Sequence, residues 1–174
     1  MGQVEEFDTR FVSEKTDVIR VGDTEVHLRL CIPGIQPGSS LRVVFESFTE
    51  DVEQAVCIST DKGKLKVGDE RASSVILWSD HSLVSNDIEI TNRVPANIVV
   101  WNAWRRKDGG VDAGLRYAGM TKEEISPSEW RLRCSDGIGE ADFDDLVVVV
   151  LSFDSNAAQV SRGSAGQFER RSIR

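Results

Sequence analysis

The fold is decided by residues 146–153, which read LVVVVLSF. The six aliphatic residues that open this stretch have the length of a strand and the β-branched composition that strands favour. Because both faces of such a strand are apolar, we expect it to be central in its sheet. A second sheet would cover one face, and loops or a partner subunit would cover the other.

Alternating apolar and polar residues predict several more strands on either side of this one. In residues 24–32, Val26 and Leu28 share one face while His27 and Arg29 share the other, a period that a helix cannot produce. Turn residues recur roughly every 8–12 residues, as in a sandwich or barrel. Helix is scarce, and its one predicted turn covers residues 121–125. Further strands are predicted at residues 41–48, 54–60, 64–67, 74–78, 87–91, 97–105 and 130–134.

Together these patterns predict an all-β protein, an antiparallel β-sandwich of about eight to ten strands with jelly-roll or Ig-like topology and little helix. The 174 residues, 40% of them hydrophobic, suit one domain with a buried core. We assign residues 10–155 to this domain and residues 1–9 to a flexible N-terminus. Residues 156–174 are predicted to be a disordered basic C-terminal tail, because their small polar side chains cannot offset the entropy of ordering.

The charge balance disfavours some classes of partner. The formal net charge of −8 and the pI near 4.8 argue against nucleic-acid binding, which needs a basic face to displace phosphate counterions.

No run approaches the roughly 18 apolar residues of a membrane-spanning helix. The N-terminus has neither the basic start nor the apolar core of a secretory signal. With Met1 as the native start, we expect a cytoplasmic protein with no nucleic-acid or membrane partner.

An acidic loop, residues 135–145 (SDGIGEADFDD), separates two predicted strands. A hard cation such as Ca²⁺ takes roughly six to eight oxygen ligands from a backbone that folds around it. The loop therefore predicts a cation site, with Ca²⁺ or Mg²⁺ as the cofactor. Turn chemistry is the alternative, because Asp and Gly dominate turns and an inward-facing Phe143 would make a sensible strand entry. The candidate metal ligands are Asp136, Glu140, Asp142, Asp144 and Asp145.

Within this loop, residues 142–147 (DFDDLV) resemble the acidic-aromatic-acidic run that precedes a core strand in bacterial calcium-associated β-sandwich modules. The resemblance implies that the loop holds a calcium ion. The loop departs from the EF-hand pattern, in which a Gly and a distal Glu stand at fixed positions. A cytoplasmic location also favours Mg²⁺ with few protein ligands, or no metal, over Ca²⁺.

A second distinctive stretch is residues 97–110, NIVVWNAWRRKDGG. Along a strand, Trp101 and Ala103 face one side while Asn102 and Trp104 face the other, so one tryptophan belongs to the core. With Trp104 at the surface, Asn102, Trp104 and Arg105 would form a platform on which sugar rings or bases stack. The alternative is a strand buried on both faces, with both tryptophans in the core.

Catalytic motifs are scarce in the sequence. His27 and His81 are the two histidines. The run of Asp80, His81 and Ser82 has the residue types of a hydrolase triad, but adjacent residues on an extended chain point apart and cannot form a relay. Neither GxSxG, HExxH nor a Walker loop occurs. The three cysteines lack CxxC spacing and are predicted to be buried thiols.

Three functions remain open. The preferred one is a non-enzymatic ligand-binding module for a glycan or another polar small ligand, assisted by a cation in the acidic loop. The second is a structural or assembly subunit that forms a homo-oligomer through the exposed face of the Leu146 strand or of the Trp101 strand. The third is a small hydrolase whose site is assembled from residues distant in sequence.

Overall fold

The structure, a computed structural model, describes residues 5–82 and 84–155, and the predicted tail at residues 156–174 lies outside them. The described residues form one short helix, α1 (Phe7–Ser13), and fourteen strands. The strands are β1 (Val18–Val21), β2 (Thr24–His27), β3 (Leu30–Ile35), β4 (Ser39–Phe48), β5 (Gln54–Thr60), β6 (Lys64–Val67), β7 (Glu70–Ala72), β8 (Ser74–Trp78), β9 (Ser85–Thr91), β10 (Ala96–Arg105), β11 (Val111–Asp112), β12 (Tyr117–Ser126), β13 (Glu129–Gly137) and β14 (Leu146–Asp154).

The strands form two antiparallel sheets that pack against each other. The larger sheet has nine strands in the order β1-β2-β12-β13-β14-β4-β9-β6-β7. The smaller sheet has five strands, in the order β11-β10-β5-β8 with β3 also paired to β10. Inward-facing side chains from both sheets, such as Leu41 and Leu132 from the larger and Ile58 and Val100 from the smaller, form one core. The predicted all-β antiparallel sandwich is therefore confirmed.

Strand β14 is central, lying between β13 and β4 in the larger sheet. Leu146, Val148 and Val150 belong to the core between the sheets. Val147 and Val149 face the other way, yet only 3% and 6% of their surfaces are exposed. Burial on both faces, as predicted for this strand, is confirmed.

Two arginines of β13 cover the outer face of β14. Arg131 is registered with Val149 and Arg133 with Val147, so each arginine shares the outer face with a valine beside it. An arginine can lay its aliphatic stem on apolar surface while its guanidinium group stays in water. The arginine stems can therefore help to bury Val147 and Val149 within the sheet itself. Salt bridges of 2.6 to 2.9 Å hold the two guanidinium groups against the carboxylates of Glu46, Glu123 and Asp144.

Two local predictions are wrong. Residues 24–32 are not one strand, because the chain leaves the larger sheet after β2 and enters the smaller sheet as β3, with Leu28 and Arg29 in the connection. Residues 121–125 are not a helical turn but part of β12, which pairs with β13 over most of its length. Because one isolated helical turn is only marginally stable, pairing with a core strand overrides the local capping signal.

Helix α1 packs against the first two strands. Phe7 and Phe11 of α1 are buried against Ile19 and Val26 of the first two strands, so the boundary predicted at residue 10 falls inside the helix. Phe7 also stacks on Phe143 of the acidic loop, with ring centroids 6.3 Å apart. Phe143 therefore points inward, as the turn-chemistry alternative requires. Within the described residues, no helix is long and apolar enough to cross a membrane.

Candidate functional site

Asp136, the first of the predicted metal ligands, is a buried structural side chain between the two sheets. It is 2% exposed, and its carboxylate accepts two hydrogen bonds. Gln54 Nε2 on β5 donates to Oδ2 at 2.9 Å, and the backbone N–H of Ile138 donates to Oδ1 at 2.9 Å. A second link between the sheets is made by Asn102, whose Nδ2 donates to the carbonyl of Ser135 at 3.0 Å. The start of the acidic loop therefore ties β13 to the smaller sheet.

Asp145 closes the acidic loop against Asp136. Its Oδ2 accepts the backbone N–H of Asp136 at 2.9 Å, and its carbonyl accepts the N–H of Thr49 at 2.8 Å. Burial, together with the charges of Asp136 and Asp142, raises the pKa of Asp145 to about 6, although the hydrogen bond from Asp136 opposes this shift. The negative charge of Asp145 is therefore unfavourable in the folded state.

The other three predicted metal ligands have separate environments. Asp142 Oδ1 accepts the backbone N–H of Asp144 at 3.1 Å, Asp144 pairs with Arg133, and Glu140 is exposed. Among residues 5–82 and 84–155, just one set of three His, Cys, Asp or Glu side chains brings its ligand atoms within 4.8 Å of one another, and it lies elsewhere. The five carboxylates do not converge in this way, and Ca²⁺ or Mg²⁺ binding by the loop stays a prediction.

The raised pKa of Asp145 predicts how stability depends on pH. The unfolded carboxyl ionises near pH 3.8 and the folded one near pH 6, so between these values the folded state holds a proton that the unfolded state has lost. The free energy of unfolding must therefore fall as pH rises through this window. Asp145→Asn, which is neutral throughout, should be more stable than the wild type above this window by roughly 1 kcal/mol. For a fully buried carboxyl with this pKa shift, the gain in stability would be roughly 3 kcal/mol. The Asp145 side chain is partly exposed to water, which weakens the effect.

Urea unfolding of both proteins across about pH 4 to 8 measures this difference. Glu140→Gln is the matched control, because Glu140 is an exposed carboxylate of the same loop, and its pH profile should follow the wild type. Parallel profiles for Asp145→Asn and the wild type would contradict the raised pKa.

Two residues of the predicted ligand platform of Asn102, Trp104 and Arg105 are buried, and Arg105 is partly exposed. Trp104 is 3% exposed and Asn102 is also buried, because both lie on the inner face of β10. Arg105 is held by Glu53, whose Oε2 accepts its Nε at 2.7 Å, and its guanidinium carbon lies 4.2 Å from the ring centroid of Trp78. One tryptophan of this strand is in the core, as predicted. The buried residue is Trp104, so the prediction that its ring forms a stacking surface for a ligand is wrong.

The half-buried tryptophan of β10 is Trp101, which borders a cleft at the edge of the smaller sheet. Strand β3 pairs with β10 as far as Val100, and β11 begins to pair at Trp104. Residues 101–103 therefore pair with β5 on one side and, among the described residues, with no strand on the other side. The gap opens into a cleft of about 440 Å³, within the roughly 300–1,000 Å³ range of small-molecule sites.

Apolar and small residues form much of the cleft lining. The ring of Trp101 and the side chain of Leu28 supply apolar surface, and Gly114 and Gly119 leave room beside them. Gly114 has a φ of +62°, a conformation that side-chain-bearing residues rarely adopt. A Cβ at Gly119 would lie 2.7 Å from Val26 Cγ1, so a larger residue there would displace its neighbours.

Hydrogen-bonding groups complete the lining. Ser59 of β5, Asn102 of β10 and Arg29 of the β2–β3 connection border the cleft. Arg29 is held in place by Asp17, whose two carboxylate oxygens accept its Nε at 2.8 Å and its Nη2 at 3.1 Å. A bidentate pair of this kind fixes the guanidinium plane. The cleft therefore offers one aromatic surface with positioned polar groups around it.

The sequence patterns single out Trp101 but miss most of the cleft. Alternation places Leu28 and Arg29 inside one continuous strand, and Gly114 and Gly119 carry no recognisable motif. No protein-family model and no curated protein matches the sequence. The candidate sites are therefore identified by geometry alone.

Proposed function

We propose that this protein is a non-enzymatic binding module that holds a carbohydrate-type ligand in the cleft beside Trp101. A sugar ring has an apolar face, which suits an indole ring, and hydroxyl groups around its rim, which suit Ser59 and Arg29. The supporting observation is the half-buried Trp101 at a gap in the smaller sheet, next to a cleft of small-molecule size.

The composition of the cleft favours binding over hydrolysis. Glycoside hydrolysis requires two carboxyl groups on either side of the scissile bond. Among the described residues, neither a carboxylate, an imidazole nor a thiol lines the cleft. Its groups can orient a ligand and exclude water from one side of it, but they supply neither a general acid nor a base that would activate the Ser59 hydroxyl.

Isothermal titration with neutral gluco-, xylo-, manno- and chito-oligosaccharides tests this function. The wild type should bind at least one of them, and Trp101→Ala should weaken that binding by about tenfold or more, equivalent to 1.4 kcal/mol of stacking and apolar contact. Circular dichroism and light scattering on the same samples report whether the variant is folded and whether its mass has changed.

Trp78→Ala is the matched control for this titration. Trp78 is a half-buried tryptophan of the same sheet, but Arg105 lies over its ring and it does not line the cleft. Its removal should leave the affinity close to that of the wild type. Equal losses for the two tryptophan variants, or full affinity in folded Trp101→Ala, would contradict binding in the cleft.

The assembly alternative is favoured by the outer face of the smaller sheet. Ile76 is 47% exposed there, and the half-buried rings of Trp78 and Trp101 flank the small side chains of Ala55 and Cys57. A contiguous apolar face of this kind is suited to contact with a second copy. An interface there would appear in the light scattering as a mass that falls when Trp101 or Trp78 is replaced.

A further inference from the structure

A second cluster of chemically active side chains lies where β5 begins and β8 ends. These strands are antiparallel, with Ala55 registered opposite Trp78. Glu53, just before β5, is therefore next to Asp80 and His81, just after β8. The turn that follows β8 is held by the backbone N–H of His81, which donates to the carbonyl of Trp78 at 3.3 Å. The topology thus gathers three side chains that no sequence motif connects.

The three side chains are close enough to bind one ion. Each of Glu53, Asp80 and His81 offers a ligand atom, and all three atoms lie within 4.8 Å of one another. His81 Nε2 is 3.4 Å from Asp80 Oδ2. Because zinc bonds to nitrogen and oxygen are about 2.0–2.2 Å long, two ligand atoms of one tetrahedral ion lie roughly 3.5 Å apart. Small side-chain rotations are enough to complete such a site.

The carboxylate of Glu53 is mostly buried, with 20% of its side chain exposed. Its Oε2 accepts Nε of Arg105, while its Oε1 is buried and has no hydrogen-bond partner among the described residues. A buried carboxylate oxygen without a partner is unfavourable, and a cation bound by this carboxylate would remove that penalty. The side chains of Asp80 and His81 are 49% and 76% exposed, so an ion can reach the cluster from solvent.

We propose that Glu53, Asp80 and His81 bind a divalent transition-metal ion of the Zn²⁺ class. An imidazole combined with carboxylates suits such ions, whereas Mg²⁺ and Ca²⁺ prefer oxygen ligands alone. Three protein ligands leave the fourth position of a tetrahedral ion open to water or to a ligand group. The site shares no residue with the Trp101 cleft, and the proposal is independent of the function proposed for that cleft.

Imidazole NMR tests this site directly, because the chain has two histidines and each gives its own signals. Every sample in this experiment should carry the substitution Cys31→Ser, because it removes the exposed thiol as a competing ligand. Titration with ZnCl₂ should shift the His81 signals in a saturable way and leave those of His27 in place. MgCl₂ at the same concentrations should shift neither. An unchanged amide spectrum shows that each sample is folded.

Ligand variants measure the role of the carboxylates. Losing a group that merely orients a metal ligand weakens binding by roughly 10- to 100-fold, so Glu53→Gln and Asp80→Asn should each weaken zinc binding at least about tenfold. Asp80 is exposed, so its variant keeps the test valid if Glu53→Gln unfolds. The matched control is Glu25→Gln, at the carboxylate 3.9 Å from His27, which should leave zinc affinity unchanged. The proposal would be overturned if zinc shifted the NMR signals of both histidines alike, or shifted neither set at millimolar concentration. It would also be overturned if folded Asp80→Asn bound zinc as tightly as the parent protein.

Discussion

Replacing Trp104 with Ala should lower the free energy of unfolding by about 3–5 kcal/mol, the range for removing a buried aromatic side chain. Trp104 is 3% exposed and lies on the inner face of β10, registered opposite Gln54. Its loss would leave a cavity at the end of the sandwich where the two sheets are joined by polar side chains. Equilibrium unfolding in urea, followed by circular dichroism, measures the change.

The control for this experiment is Trp101→Ala, in the same strand three residues earlier. Trp101 faces outward and is half-buried, so its loss should lower the free energy of unfolding by less than half as much. Equal losses for the two variants would mean that the two rings are buried alike, which contradicts the division of β10 into an inner and an outer face.

Replacing Asp136 with Ala should lower the free energy of unfolding by about 3 kcal/mol, because a buried donor left without its acceptor is costly. The variant removes the acceptor of Gln54 Nε2 and of the Ile138 N–H. Gln54 is fully buried, and its Oε1 already has no hydrogen-bond partner among the described residues. Its side chain would then have no hydrogen bond within that part of the chain. Urea unfolding measures the loss.

Glu140→Ala is the matched control, because Glu140 is an exposed carboxylate of the same loop, and its stability should stay within about 0.5 kcal/mol of the wild type. Equal losses for the two variants would contradict the structural role of Asp136.

Thermal unfolding with and without CaCl₂ tests the predicted cation site, because an ion that binds the folded state alone must raise the melting temperature. A calcium-dependent rise that Asp136→Ala abolishes would favour metal binding by the loop.

The sequence patterns predict the core strands well, because the core depends on local alternation. The aliphatic run at 146–151 predicts a strand buried on both faces, and β14 is such a strand. In β10, alternation also places Trp101 and Trp104 on opposite faces. It cannot tell which face is inside, because both faces carry apolar residues such as Val99 and Val100. That choice depends on where the larger sheet packs, which only the three-dimensional structure shows.

The candidate sites could not be predicted from the sequence, because each depends on strand pairing. The cleft exists because β3 and β11 stop pairing with β10 on either side of residues 101–103, and no local signal encodes those end points. Glu53 and His81 meet because β5 and β8 are antiparallel neighbours. In the acidic loop, a dense local pattern predicts a cation site, and the role of Asp136 in joining the two sheets could not be read from that pattern.

The tryptophan indole signals give the most direct test of binding in the cleft. The chain has four tryptophans, Trp78, Trp101, Trp104 and Trp130, and each indole N–H gives one signal in a proton–nitrogen NMR spectrum. On titration with the neutral oligosaccharides, the Trp101 signal should move and saturate while the signals of Trp104 and Trp130 stay in place. A Trp101 signal that stays fixed for every oligosaccharide, or moves no further than that of Trp130, would contradict ligand binding in this cleft.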